Sequence, residues 1–227
     1  MLPYLFWDLL LGISWFILFI HRKDLRREIL YTSLLMTPLG LTQPMFVPHY
    51  WHPEVILKVF GVWDIESLLW CFFTGGIVAV LFEISLGYKH RHKTMKGFHH
   101  HAHIIYLSLV LFSFLGLFIY VSNVIPLIRG LFLITIILTM ILWFIRHDLI
   151  LKSIASGLLF TVFYAASLII VNQIFPDFTI GSWNAHAIYG YHILNIPLEE
   201  YLYAFLFGLS WSIIYDEVRG RILFAKK

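Results

Sequence analysis

Long hydrophobic runs recur along the whole chain, and short polar segments separate them. A helix needs roughly 20 apolar residues to cross a bilayer, and seven runs come close to this length. We predict seven transmembrane helices, at about residues 2–20, 29–47, 65–88, 104–122, 125–145, 153–175 and 198–217. The pattern therefore indicates an all-α integral membrane protein whose helices form a single membrane domain.

The composition supports this class and excludes several others. Hydrophobic residues make up 60% of the 227 residues and charged residues 13%, whereas a soluble domain has about 25% charged residues. One cysteine, Cys71, is too few for a disulfide framework or a four-thiolate metal site. The chain has no G-x-G-x-x-G motif and no soluble segment long enough to bind nucleic acid, so we expect neither a dinucleotide nor a nucleic-acid partner.

The basic residues lie on one side of the predicted bundle. Fourteen of the sixteen fall after the first, third and fifth spans or at the C-terminus, and only Lys58 and Arg129 are on the other side. The positive-inside rule then places the N-terminus outside and the C-terminus in the cytoplasm. We therefore expect a multi-pass protein of the cell membrane.

Two parts of the chain share a pattern at an offset of 133 positions. Three pairs match in this register: Glu66 and Glu199, Gly75 and Gly208, and Glu83 and Asp216. An Arg-x-Asp-Leu segment also recurs, at residues 22–25 and 146–149. We predict two three-helix repeats, 1–88 and 123–227, joined by a basic, histidine-rich loop and a linking fourth helix at 89–122. The repeats would have the same orientation, related by an axis along the membrane normal, in a 3+1+3 arrangement.

Two carboxylates stand at the start of the last predicted helix. Pro197 fits the first turn of a helix, and Glu199 and Glu200 follow it before an apolar run. Such a start is also ordinary, because the helix dipole favours carboxylates there. However, an acidic residue within a membrane span is usually functional, and the recurrence of Glu66 in register favours a functional role.

Two segments of the second half, GSWN at 181–184 and NIPLEE at 195–200, precede an aromatic helix. In these features the chain resembles the membrane-integral, flavin-independent lycopene cyclases, whose signature is Pro-x-Glu-Glu/Asp at a helix start. The resemblance implies conversion of the linear ends of lycopene into β-ionone rings, giving γ-carotene and then β-carotene. The first half departs from the signature, since residues 64–67 read DIES. This leaves open cyclisation of one end only, a different polyene or a loss of catalysis.

The residue types suit such a proton-driven cyclisation. A carboxyl group buried in an apolar site can stay protonated near neutral pH and donate to a double bond, and aromatic faces stabilise the resulting cation. We predict Glu199 as the main acid, Glu200 as its partner or the base, and Glu66 as the counterpart from the other half. Candidate substrate-binding residues are Asp8, Trp70, Trp183, Tyr201, Tyr203 and His192.

Other interpretations remain open at this point. A parallel repeat with intramembrane acids also suits a small-solute or ion transporter or channel, and a carotenoid-binding protein without catalysis is a further alternative. The histidine-rich run at 90–103 contains no carboxylate, so we expect a basic loop against anionic lipid headgroups rather than a metal site. No cofactor is predicted, although reduced flavin in a non-redox role stays open. The expected partners are lycopene and membrane lipid, and the oligomeric state is not indicated.

Overall fold

The computed structural model describes residues 3–59, 61, 63–87, 89–91, 116, 120, 125–219 and 221–224. These residues are mainly helical. The α-helices are α1 (Pro3–His21), α2 (Arg26–Met36), α3 (Gln43–Phe46), α4 (Ile65–Leu86), α5 (Leu127–Ile145), α6 (Ile150–Ile174), α7 (Phe178–Ser182), α8 (Leu198–Trp211) and α9 (Ile214–Arg219). Two 3-10 helices lie between them, at Thr37–Thr42 and His147–Leu149.

Four described stretches are long and apolar enough to cross a membrane. They are Pro3–His21, Ile65–Leu86, Leu127–Ile145 and His147–Ile174. They correspond to the first, third, fifth and sixth predicted spans and support a membrane protein. The predicted fourth span, 104–122, lies outside the described residues except for 116 and 120. The seven-helix arrangement and the orientation of the termini therefore stay predictions.

The second and seventh predicted spans are interrupted helices. The second becomes α2, a 3-10 helix and α3, with Pro38 and Pro44 at the starts of the last two elements. Proline lacks the backbone N–H that a helix interior needs, which explains both breaks. The seventh consists of α8, which has 14 residues, and the short α9.

Glycines permit close contact between helices at two places. A Cβ on Gly75 of α4 would lie 2.7 Å from Met36 Cβ and 3.0 Å from the Thr32 carbonyl oxygen in α2. A Cβ on Gly208 of α8 would lie 2.7 Å from Gly157 Cα in α6. Small residues permit such close approach of membrane helices. The two glycines are a pair that the predicted repeat matches, although the repeat itself stays a prediction.

Short antiparallel strand pairs precede α4 and α8. β1 (Lys58–Val59) pairs with β2 (Trp63–Asp64), and β4 (His192–Ile193) pairs with β5 (Ile196–Pro197). A third pair joins β3 (Lys89–Arg91) to β6 (Ile222–Phe224). In addition, the segments around Trp51 and Trp183 form an antiparallel bridge. This bridge ties the loop after α3 to the loop after α7.

An ion cluster at the opposite end of the helices is fully buried. Lys152 Nζ of α6 lies 2.5 Å from Glu83 Oε1 of α4, 2.7 Å from Asp216 Oδ2 of α9 and 3.5 Å from Glu28 Oε1 of α2. Arg146 pairs with the buried Glu217 at 2.5 Å. The three acids around Lys152 belong to three different helices. The structure gives them buried partners that connect four helices.

Candidate functional site

An elongated apolar cavity of about 620 Å³ lies between α5 and the helices α4 and α8. Its wall includes α5 along its whole length, from Leu127 to Ile145. At 1.5 Å per residue, these 19 residues extend over roughly 28 Å. The volume lies within the range of about 300–1,000 Å³ that is usual for small-molecule sites. The shape and lining therefore suit a long hydrophobic ligand.

One face of α8 carries aromatic rings along this cavity. Glu200, Tyr203, Phe207 and Trp211 follow at intervals of three or four residues, which places them on the same side of the helix. The ring centroids of Tyr203 and Phe207 are 5.9 Å apart, as are those of Phe207 and Trp211, and both pairs are stacked. Trp70 of α4, which also lines the cavity, has its ring centroid 6.1 Å from that of Tyr203. From Tyr203 to Trp211, aromatic residues line the wall over roughly 12 Å, beginning one turn after Glu200.

Glu200 is held at the cavity wall by three hydrogen-bond donors. Tyr50 donates its hydroxyl to Glu200 Oε1 at 2.5 Å, and Trp183 Nε1 donates to the same oxygen at 2.8 Å. Tyr164 of α6 donates its hydroxyl to Oε2 at 2.5 Å. Glu200 is only 3% exposed. Burial, with Glu200 beside it, raises the pKa of Tyr50 well above its usual value, so this phenol stays a donor.

No other acidic side chain lines this cavity. All 13 aspartates and glutamates of the chain fall within the described residues, and among them Glu200 alone belongs to the cavity wall. Any proton donated by a carboxyl group to a ligand in this cavity therefore has one available source.

Glu66 and Glu199 bind the backbone of the hairpins that precede their helices. Glu66 Oε1 accepts hydrogen bonds from the backbone N–H groups of Ile56 at 2.7 Å and Leu57 at 3.0 Å. Glu199 Oε1 likewise accepts from the backbone N–H of Tyr189. Both glutamates are buried, but neither is part of the cavity wall. Each of these carboxylates thus binds loop backbone that precedes its helix in the chain.

The remaining predicted site residues divide into two groups. Those that line the cavity are Trp70, Trp183 and Tyr203. Tyr201 instead donates its hydroxyl to a hairpin carbonyl at 2.9 Å, and His192 is exposed in β4. Asp8 of α1 is 1% exposed, and neither of its carboxylate oxygens has a hydrogen-bond partner in the described part of the chain. These three side chains lie away from the cavity wall.

Neither of the two tyrosines that bind Glu200 was among the predicted site residues. Tyr50 belongs to a loop 150 positions before its partner, and Tyr164 is one of several aromatic residues in an apolar helix. Sequence spacing carries no sign of either contact. Only a general rule pointed to Tyr164: a tyrosine within an apolar membrane helix requires a hydrogen-bond partner for its hydroxyl group.

Comparison with known protein families bears on this site. The family model described as Lycopene cyclase matches residues 127–218. This match supports a lycopene cyclase family assignment. The matched region includes Glu200 with its partners Tyr164 and Trp183, whereas Tyr50 lies outside it. No curated protein and no solved structure matches the chain. The match covers less than half of the 227 residues, and over that part the chain is similar to lycopene cyclases.

Proposed function

We propose that the protein closes β-ionone rings at the ends of lycopene, with Glu200 as the acid that starts the reaction. The supporting observation is the position of this single buried carboxyl group, at the wall of a cavity lined by aromatic rings. A transporter or channel would need polar groups along its path, whereas this wall is mostly apolar. The cavity therefore favours a cyclase over solute transport.

The reaction requires one proton to be added and one to be removed. Protonated Glu200 donates its proton to the terminal double bond of the polyene, which leaves a carbocation on the neighbouring carbon. The next suitable double bond attacks this carbon and closes a six-membered ring, moving the positive charge into the ring. The Glu200 carboxylate then removes a proton from a ring carbon next to the charge. No electrons are exchanged, so the product is an isomer of the substrate.

The three donors around Glu200 favour this proton transfer. Once the proton has left, the carboxylate accepts hydrogen bonds from Tyr50, Trp183 and Tyr164, and bonds to an ionised acceptor are stronger than neutral ones. Before transfer, either phenol can rotate to accept the carboxyl proton. The donors are already in position, so little reorganisation accompanies the appearance of charge.

The aromatic wall suits the cationic intermediate. Trp70, Tyr203 and Phe207 line the same cavity as the carboxyl group, and aromatic faces attract cations. An apolar cavity also excludes water, which would otherwise capture the cation as an alcohol. We propose that these three residues bind the reacting end of the polyene.

We assign Glu199 and Glu66 to a supporting role, in which they hold the hairpins that position α8 and α4. Their bonds to backbone N–H groups support this assignment. Glu199 is therefore not our first choice for the acid, although the sequence alone pointed to it. Asp8, Tyr201 and His192 have no proposed part in the reaction.

We also propose a multi-pass arrangement in the cell membrane with seven helices and the C-terminus in the cytoplasm. The outer face of α5 supports membrane insertion, because its side chains are apolar and exposed: Leu133, Ile137, Met140 and Phe144. Such a face requires a lipid environment or another helix. The wall of the cavity would then be accessible from the bilayer, in which a hydrocarbon substrate dissolves.

Product analysis tests the proposed function. The chain is expressed in cells that make lycopene, and the extracted pigments are separated by chromatography. Carotenoids with one or two β-ionone rings are expected, and the mass of each must equal that of lycopene. Unchanged lycopene, in cells where the protein is correctly inserted in the membrane, would refute the proposal.

A further inference from the structure

The cavity wall contains a serine at the position that corresponds to the acid. In the register that matches Glu66 with Glu199, Glu200 corresponds to Ser67. Ser67 also lines the cavity. Its hydroxyl lies 3.2 Å from the Tyr4 hydroxyl, and its backbone N–H donates to Asp64 Oδ1 at 2.6 Å. Two matched positions thus face one cavity, and only one of them can donate a carboxyl proton.

The surroundings of Ser67 also lack the group that holds Glu200 from the neighbouring helix. Tyr164 lies 124 positions after Gly40, the offset at which the Arg-x-Asp-Leu segment recurs. A Cβ on Gly40 would lie only 2.8 Å from the Ser67 carbonyl oxygen and 2.9 Å from Leu68 Cα. The backbone approaches so closely that no tyrosine fits at position 40. The first half therefore lacks both the acid and one of its donors.

We propose that the protein has one acid centre and closes one ring each time a polyene binds. The inference rests on the proposed function and concerns the order and extent of its product formation. After the first ring closes, the other end of the C40 molecule is still linear and lies away from Glu200. It can reach Glu200 only if the molecule leaves the cavity and enters again in the opposite direction.

This single centre predicts release of the monocyclic carotenoid as an intermediate. The released molecule competes with lycopene for the same cavity. While lycopene is in excess, the monocyclic product therefore accumulates. The bicyclic product forms only after lycopene is depleted. A protein with two acids in one cavity could instead close the second ring without this exchange.

A pulse–chase experiment tests this order directly. The full-length protein in lipid vesicles receives isotope-labelled lycopene for less than one half-time of the reaction, followed by a large excess of unlabelled lycopene. We expect the label to stay in the monocyclic product during the chase, with less than a tenth of it passing to the bicyclic product. Label that passes mainly to the bicyclic carotenoid during the chase would refute the inference while leaving the proposed function intact. A complete lack of rings would instead refute the proposed function, and with it this inference.

Restoring a second acid provides an independent measurement. In the Ser67→Glu variant, we expect the bicyclic share of the label during the chase to rise at least threefold. Ser67→Gln is the matched control, because it has nearly the same size but no proton to donate, and no such rise is expected. An equal rise in both variants would contradict a role of the acid. Because the pulse–chase result on the unaltered chain stands by itself, the inference can be tested even if Ser67→Glu folds poorly.

Discussion

Replacing Glu200 by glutamine tests whether Glu200, and not the neighbouring Glu199, is the acid. Glutamine has almost the same shape, and its amide oxygen can still accept from Trp183 and Tyr50. Its NH₂ group can donate to the Tyr164 hydroxyl oxygen, so the side-chain network keeps most of its bonds. What the variant loses is the transferable proton. We therefore expect a folded protein that binds the polyene but no longer closes rings.

The expected magnitude follows from the role of the proton. A positioned acid or base contributes about 10²- to 10⁴-fold to a rate, equivalent to about 3–5 kcal/mol of activation free energy. Replacing one carboxyl oxygen of Glu200 by an NH₂ group changes one of three buried hydrogen bonds and should lower stability by about 1–3 kcal/mol. Ring formation should thus fall far more than the yield of folded protein.

The matched comparison is Glu199→Gln, which alters the adjacent carboxylate without changing the cavity wall. Both variants are expressed at equal membrane levels in lycopene-producing cells, and cyclic products are measured over time. Glu200→Gln should lower the initial rate at least 100-fold, and Glu199→Gln by less than tenfold, through loosening of the β4–β5 hairpin. The assignment would be refuted if Glu199→Gln abolished ring formation while Glu200→Gln kept more than a tenth of it.

Three further substitutions test the packing and the cavity wall. Lys152→Met leaves buried carboxylates without their cation and should destabilise the protein by about 3–5 kcal/mol; a thermal unfolding midpoint in detergent equal to that of the exposed Lys23→Met control would contradict this. Gly208→Ala places a methyl group against the backbone of α6 and should lower stability by about 1–3 kcal/mol, measured in the same way. Gly181→Ala is the control, because its added methyl group has no atom within 4 Å, and it should leave stability unchanged. Tyr203→Leu removes a π face and should lower the cyclisation rate about 3- to 30-fold, while Tyr203→Phe keeps the ring and the rate; equal rates for the two variants would argue against cation stabilisation there.

The class of the protein and part of its site were accessible from the sequence. Hydropathy depends on local composition, so four of the predicted spans correspond to long apolar helices in the described part of the chain. The helix start at Leu198, with two glutamates in its first turn, was also predicted, and so were Trp70, Trp183 and Tyr203 as residues near the acid. The resemblance to lycopene cyclases agrees with the family match.

The choice between two adjacent glutamates required the structure. Neighbouring residues on a helix point about 100° apart, so one of the pair faces the cavity and the other the hairpin. The signature Pro-x-Glu-Glu does not show which of the two glutamates faces the cavity. The ion-pair partners of the buried acids at the other end of the bundle could not be predicted from the sequence either. Lys152 was predicted only as one of the basic residues on the cytoplasmic side, whereas the structure places it at the centre of a buried cluster.

Tyr50 places part of the first predicted repeat directly beside Glu200. This tyrosine belongs to the loop after α3, and the bridge between Trp51 and Trp183 fixes it against the second half. Its hydroxyl reaches Glu200 across 150 residues of chain. The first half also contributes Trp70, Ser67 and Tyr4 to the cavity wall. Under the proposed function, the acid would come from one predicted repeat and part of its hydrogen-bonding environment from the other. Serine instead of a carboxylate at position 67 would leave this contribution of the first repeat unchanged.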